Sequence, residues 1–286
     1  MSDFLAFARS HGLIMPLGGL ITGRWVAVRT EDKPKKKNGR YYLDSRGGAV
    51  QNWATMEKAE GWKPGNELEV RHDPERLARL ALEEKQRRKA EAERHASAAT
   101  RAHEMLSTAK PETHGYLASK GFPDLEGLVL DGALLIRMAD CQTGKVAGLQ
   151  TISPDPAGGW VKKFLPGTRA KGAVHRRGRG DKKLLCEGFA TALSVESAVK
   201  SLAFQAEVIV CFSAGNIPIV AGLLGGPVGV CADNDASKAG QTAAEKTGKP
   251  WRMPDATGTD FNDLAQAEGL FVLRGKIAEL LRLLNK

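Results

Sequence analysis

The sequence predicts an α/β fold whose C-terminal part, residues 181–286, is a parallel sheet flanked by helices. Three observations predict it. Short apolar runs at 184–186, 208–212 and 228–232 are each too brief and too uniformly apolar for anything but strands buried on both faces. They alternate with helical stretches at 190–201, 217–224 and 236–247, the order that builds strand–helix–strand units. The first and third runs stop abruptly at acids, Glu187 and then Asp233 and Asp235. Side chains at the carboxyl ends of parallel strands stand where open α/β sheets bind ligands. Upstream, the sequence divides into a small Trp-rich N-terminal α+β module (1–70), a helical linker (71–110) and a basic α/β subdomain (111–180).

Composition narrows the class. The chain has 286 residues, 42% hydrophobic and 26% charged, which suits a globular protein with an ordinary core. No apolar run reaches the roughly 18 residues that span a bilayer, and the N-terminal MSDFLAFARSHG lacks a basic region followed by an apolar core, so a cytoplasmic location with no membrane partner is expected. The net charge of +9 calls for a polyanionic partner. Nucleic acid is favoured over a lipid surface because no basic amphipathic helix with large apolar residues occurs. Of the four cysteines, Cys186, Cys211 and Cys231 lie inside apolar runs and the first 140 residues hold none, so a zinc ribbon has no ligands and no zinc is expected.

In the N-terminal module a helical pattern over 3–8 ends at His11-Gly12. Period-2 alternation at 24–29, a Lys/Asn/Gly turn and the run 40–44 predict antiparallel strands. Trp25, Trp53 and Trp62 fall here, three of the five tryptophans, interleaved with Lys35, Lys36 and Lys37. Rings on which bases stack, set among cations that neutralise phosphates, are the equipment of single-strand binders. Equally, so small a module needs tryptophans for its own core.

Asp73-Pro74-Glu75 reads as an N-cap followed by proline at the first helical position, opening a Gly-free helical stretch to about residue 110 whose polar middle is expected to cross solvent. Strand-like runs at 133–138 and 146–152 follow. Next comes a block in which nearly every charge is positive, including Lys162, Lys163, Arg169, Lys171, Arg176 and Arg177. A phosphate-binding ridge beside the acidic residues is the expectation, for a nucleoside triphosphate or a template strand.

The period-2 spacing of Asp233 and Asp235 sends both carboxylates to one side with Asn234 turned away. Like charges this close call for a cation, and Mg²⁺, held by one or two carboxylates, waters and substrate phosphates, suits them. Taken singly, each acid also suits the N-cap of the helix that follows it. As a set, Glu187-Gly188, Asp233-x-Asp235 with Gly240 downstream, Val210-Cys211-Phe212-Ser213-Ala214-Gly215-Asn216 and Gly258-Thr259-Asp260-Phe261-Asn262-Asp263-Leu264 resemble the TOPRIM domain, in the order and spacing of phage and plasmid primases. His114-Gly115-Tyr116 resembles the approach to the catalytic core of that group. The resemblance implies that Glu187 carries a proton as general base and that Asp233 and Asp235 bind Mg²⁺ or Mn²⁺. In the same way it places Asp260 and Asp263 as an outer acidic pair, and Lys238 joins the nucleotide-binding residues. Thr191 departs from the pattern, standing where some members carry an acid four residues after the glutamate.

No G-x-x-x-x-G-K-[ST] occurs, so any helicase partner is a separate chain. A topoisomerase is disfavoured because Tyr41, Tyr42 and Tyr116 are not placed as a nucleophile would be. The resemblance therefore implies a primase, transferring nucleotides from NTPs or dNTPs onto primers along a single-stranded DNA template. The alternatives are a TOPRIM nuclease with water as nucleophile and a non-catalytic DNA-binding replication factor.

Overall fold

A computed structural model describes residues 2–16, 18–63 and 74–285. The predicted cap at Asp73 and the end of the N-terminal module, 64–70, lie outside them. The chain forms two compact units, Met1–Ala81 and Leu82–Lys286.

In the first unit α1 (Ser2–Ser10) packs on an antiparallel meander of β1 (Leu13–Ile14), β2 (Val26–Thr30), β3 (Gly39–Asp44), β4 (Gly47–Asn52) and β5 (Glu60–Trp62). Phe4, Ala8, Leu13, Val28, Tyr41 and Val50 form its core, with Trp62 edge-on to Phe4 at 5.3 Å. Trp62 is thus a core residue. Trp25 and Trp53 are not: they are 37% and 48% exposed, with the Arg40 guanidinium 4.3 Å from the Trp25 ring centre and 6.0 Å from that of Trp53.

The second unit is built on a ten-stranded mixed sheet. Its antiparallel part comprises β6 (Lys110–Thr113), β7 (Glu126–Leu130), β8 (Ala133–Asp140), β9 (Val146–Pro154), β10 (Trp160–Phe164) and β11 (Ala173–Gly178). Sheet order then runs from β11 through β13 (Ala206–Val210), β12 (Lys182–Cys186) and β14 (Val228–Cys231) to β15 (Trp251–Arg252), these last four mutually parallel. Leu184, Leu185, Val208, Ile209, Val210 and Val230 are fully buried, each stabilising the fold by about 1.5–3 kcal/mol. Burial on both faces follows because α4 (Phe189–Ser201) and α7 (Phe261–Leu283) share one core with β12 and β13, while α5 (Ile217–Leu223) and α6 (Ala239–Lys246) close the opposite side.

The polar middle of the long helix α2 (Pro74–Thr108), residues 85–94, is largely exposed, while its C-terminal half docks, with Ala98 and Ala102 buried. His95 Nδ1 donates to the Gly167 carbonyl at 2.8 Å and Arg101 to the Pro166 carbonyl at 2.6 Å. A Cβ on Gly167 would meet the Arg94 carbonyl at 3.0 Å, so the missing side chain is what lets the helix dock. The basic block, in turn, is not an open ridge. Arg169 pairs with Asp140, Arg176 with Glu207 and Arg177 with Glu196. Those partners lie 29, 31 and 19 residues away, which is why local charge counting missed them.

Candidate carboxylate site

Register brings the acids together. Cys186 is level with Val210 on one side and Cys231 on the other, so β12 and β14 end at the same edge and Glu187 and Asp233 emerge side by side. Beyond Asp233 the chain turns sharply. A Cβ on Gly240 would stand 2.3 Å from the Asp233 carbonyl oxygen, so α6 approaches this closely only because Gly240 has none. Asn234 points away, as the period-2 argument required, and its amide donates to the carbonyls of Pro254 at 3.0 Å and Asp255 at 3.2 Å. Its backbone N–H bonds the Thr259 carbonyl at 3.0 Å, and this clamp carries the chain back to deliver Asp260 beside the strand ends.

The five acids then divide into two kinds. Asp235 accepts the Ser237 hydroxyl and the backbone N–H groups of Ala239 (3.2 Å) and Gly240 (3.0 Å), and those bonds, the hydroxyl foremost, hold its carboxyl below the usual range. Asp260 caps α7, taking the N–H groups of Asn262 and Asp263 at 2.6 and 2.9 Å, while the Asp263 carboxylate accepts the Asp260 N–H at 3.1 Å. Asp235 thus does the capping work that a strand-end acid taken alone suggested, and Asp260 and Asp263 cap α7 in the same way.

Asp233 and Glu187 do not. Asp233 Oδ1 is buried with no hydrogen-bond partner among the described residues. Burial first, and then the charges of Asp260, Glu187, Asp235 and Asp263, push its carboxyl up to about 8. Burial likewise raises Glu187, with Asp235 and Asp260 adding to the effect and the Ala214 amide and Lys162 opposing it. A buried, unpartnered carboxylate oxygen facing four other acids is short of a positive charge, and the hard oxygen donors fit a divalent cation of the Mg²⁺ kind. Among the described residues no three His, Cys, Asp or Glu side chains form a ready-made metal cage.

Around the acids stand groups that sequence reasoning named only in part. Lys162 lies 5.2 Å over the Tyr116 ring, and Lys120 lies 4.0 Å from Asp263. The Tyr116 hydroxyl is buried without a hydrogen-bond partner among the described residues and is pushed up to about 12, chiefly by burial. Tyr116 and Lys120 belong to the segment beginning at His114, whose resemblance to a core approach was the one signal available for them. Thr191 is buried and its hydroxyl also lacks a partner among the described residues. Asn216, inside another of the quoted phrases, accepts the Gly172 N–H at 2.8 Å and donates to the carbonyls of Ala173 and Cys211, both at 2.9 Å, tying the loop before β11 to the end of β13. Lys163, Lys171 and Lys238 are exposed. Lys35, Lys36, Lys37, Trp25 and Trp53 belong to the other unit.

Comparison with known proteins places this geometry. Residues 182–270 match the Toprim domain family, and the sheet edge just described lies within that stretch. No curated protein matches the sequence. Among solved structures, the chain is similar to the primase fragment of the bacteriophage T7 primase-helicase protein, at 14% identity and a TM-score of 0.41 over 60% of this chain and 77% of that one. It is also similar to the DnaG primase catalytic domain bound to single-stranded DNA, at 13% identity and a TM-score of 0.38 over 66% and 73% of the two chains.

Proposed function

We propose that the chain is a DNA primase that transfers nucleotidyl groups from NTPs or dNTPs to a 3′-hydroxyl on a single-stranded DNA template. The observation that carries this reading is the buried Asp233 Oδ1, without a hydrogen-bond partner among the described residues, near Glu187 at the ends of two parallel strands in the stretch that matches the Toprim domain family. Asp233 and Asp235 would hold Mg²⁺ or Mn²⁺, and Asp260 and Asp263, engaged at the start of α7, add negative potential around it. When bound, the cation offsets charge developing on the transferred phosphoryl group and the leaving pyrophosphate.

Glu187, whose carboxyl burial raises above its ordinary range, would accept the proton of the attacking hydroxyl. Lys162, whose charge reaches Glu187, orients the polyphosphate and balances the acids on the opposite wall. Lys163, Lys171 and Lys238 supply further phosphate contacts, whereas Arg169, Arg176 and Arg177 chiefly brace the sheet through their carboxylate partners. Trp25, Trp53 and Lys35–Lys37 grip the template, and a replicative helicase acts as a separate chain.

The test is synthesis of short oligonucleotides from labelled nucleotides on single-stranded DNA with Mg²⁺, comparing the wild type with Glu187→Gln. Synthesis by the wild type, lost in the variant with single-strand affinity retained, supports the reading. Cleavage of labelled DNA without synthesis would assign the same site to a nuclease.

A further inference from the structure

The face of β10 turned toward the carboxylates carries an arrangement that proton transfer and metal binding leave unused. Trp160, Lys162 and Phe164 alternate on that face, opposite Pro154, Ile152 and Gln150 of β9. Trp160 packs against His114 and Tyr116 at 5.1 and 5.8 Å, which fixes one end of the stripe to the core. Lys162 follows, over the Tyr116 ring and within electrostatic reach of Glu187. Phe164 ends the stripe, 38% exposed, its ring 6.1 Å from that of Phe212 and nearly perpendicular to it at 85°.

Phe212 is itself unusual. It follows β13, beside the strand that leads into Glu187, and its backbone is left-handed with φ 65°. A bulky aromatic residue rarely adopts that conformation, and it persists only where surrounding contacts enforce it. Here they do: the ring packs against the cluster of Met138, Ala147 and Ala173, and Asn216, itself buried, holds the preceding Cys211 carbonyl. The strained turn therefore presents a fixed ring against which Phe164 leans.

We propose that Phe164, braced edge-on by Phe212, is a stacking platform for one nucleobase at the carboxylate site. The proposal rests on the nucleotidyl-transfer reading above and names the part of the nucleotide that its charged residues do not address. A base needs a flat, desolvated π surface, and an exposed phenyl ring with an aromatic brace behind it supplies one. Lys162 lies two residues back along β10, about 7 Å away. That separation lets one nucleotide lay its base on Phe164 while its phosphates reach Lys162 and the acids beyond. Base stacking is tolerant of sequence, so the platform would hold any of the bases and leave their choice to pairing.

The test uses the full chain with Mg²⁺ and three probes, ATP, inorganic tripolyphosphate and an oligothymidylate, each titrated calorimetrically. Phe164→Ala should weaken ATP, the oligonucleotide or both by about tenfold or more while leaving tripolyphosphate unchanged. Phe164→Tyr should bind as the wild type does, and Phe164→Leu should resemble the alanine variant, since apolar area without a π face does not restore stacking. Loss in the ATP arm assigns the base to the incoming nucleotide, and loss in the oligonucleotide arm assigns it to the strand. Wild-type affinity of both Phe164→Ala and Phe164→Leu for both base-bearing probes overturns the platform, even if primers are made. A wild type that binds ATP through Phe164 yet makes no primer would instead leave the platform standing and remove the primase reading.

Discussion

At the scale of single residues, the acids at the sheet edge differ in what they cost the fold. In the unfolded chain Asp233 titrates near 4, but in the folded protein its carboxyl is pushed up to about 8. The folded state therefore holds a proton that the unfolded state releases, so the associated stability is complete below about pH 4 and is lost as pH rises toward 8. Without divalent metal, the melting temperature should fall across that window, and Asp233→Asn should flatten the decline and melt higher than the wild type at pH 8. Mg²⁺ should raise the wild-type melting temperature and leave the variant unmoved. Differential scanning calorimetry in EDTA and then in Mg²⁺ reads both effects. Asp233 was legible as a site residue because an apolar run ended in it. Its lack of a partner was not legible, because Asp233 and Asp235 look alike in sequence and only the turn into α6 decides that Asp235 receives the backbone N–H groups.

At the scale of elements, the site depends on two backbone approaches. Gly240→Ala places a methyl group against the Asp233 carbonyl, which must shift. Overpacking of this kind costs about 1–3 kcal/mol, and here it should also weaken metal affinity, which a urea titration paired with a Mn²⁺ titration would separate. Asn234→Ala removes two side-chain hydrogen bonds to the 254–255 loop, for a loss of about 1–3 kcal/mol. Hydrogen exchange should speed up at residues 255–260, with α4 unaffected. Strands β12, β13 and β14 were legible because both faces are buried and the runs are continuous. Strands β10 and β11 were not: on β10 lysines interrupt the apolar pattern, and on β11 the arginines find acids that are distant in sequence. Within α7 the backbone leaves the helical region at Gly269, at φ 85° and ψ 166°, so the element is two helical pieces joined at a kink.

At the scale of the whole molecule, the chain carries a stretch that matches the Toprim domain family together with a second unit that exposes two tryptophans around an arginine. If that unit grips single strands, Trp25→Ala and Trp53→Ala should weaken oligonucleotide binding while leaving Mn²⁺ binding intact. Removing charge at Lys35, Lys36 and Lys37 should flatten the salt dependence by about 0.7 log units of affinity per log unit of salt for each phosphate that is no longer neutralised. Fluorescence anisotropy over a salt series measures both, and an unchanged slope would return these residues to surface decoration. The net charge of +9 pointed to a polyanion, but three of the arginines in the basic block brace the sheet, so net charge alone did not locate the binding surface. The central claim is that the ends of β12 and β14 form one divalent-cation site. Its most direct measurement is a Mn²⁺ titration followed by electron paramagnetic resonance on the wild type and on the Asp233→Asn, Asp235→Asn double variant. One bound Mn²⁺ per chain, displaced by Mg²⁺ and absent from the double variant, is the expected result; equal Mn²⁺ binding by both proteins would contradict it.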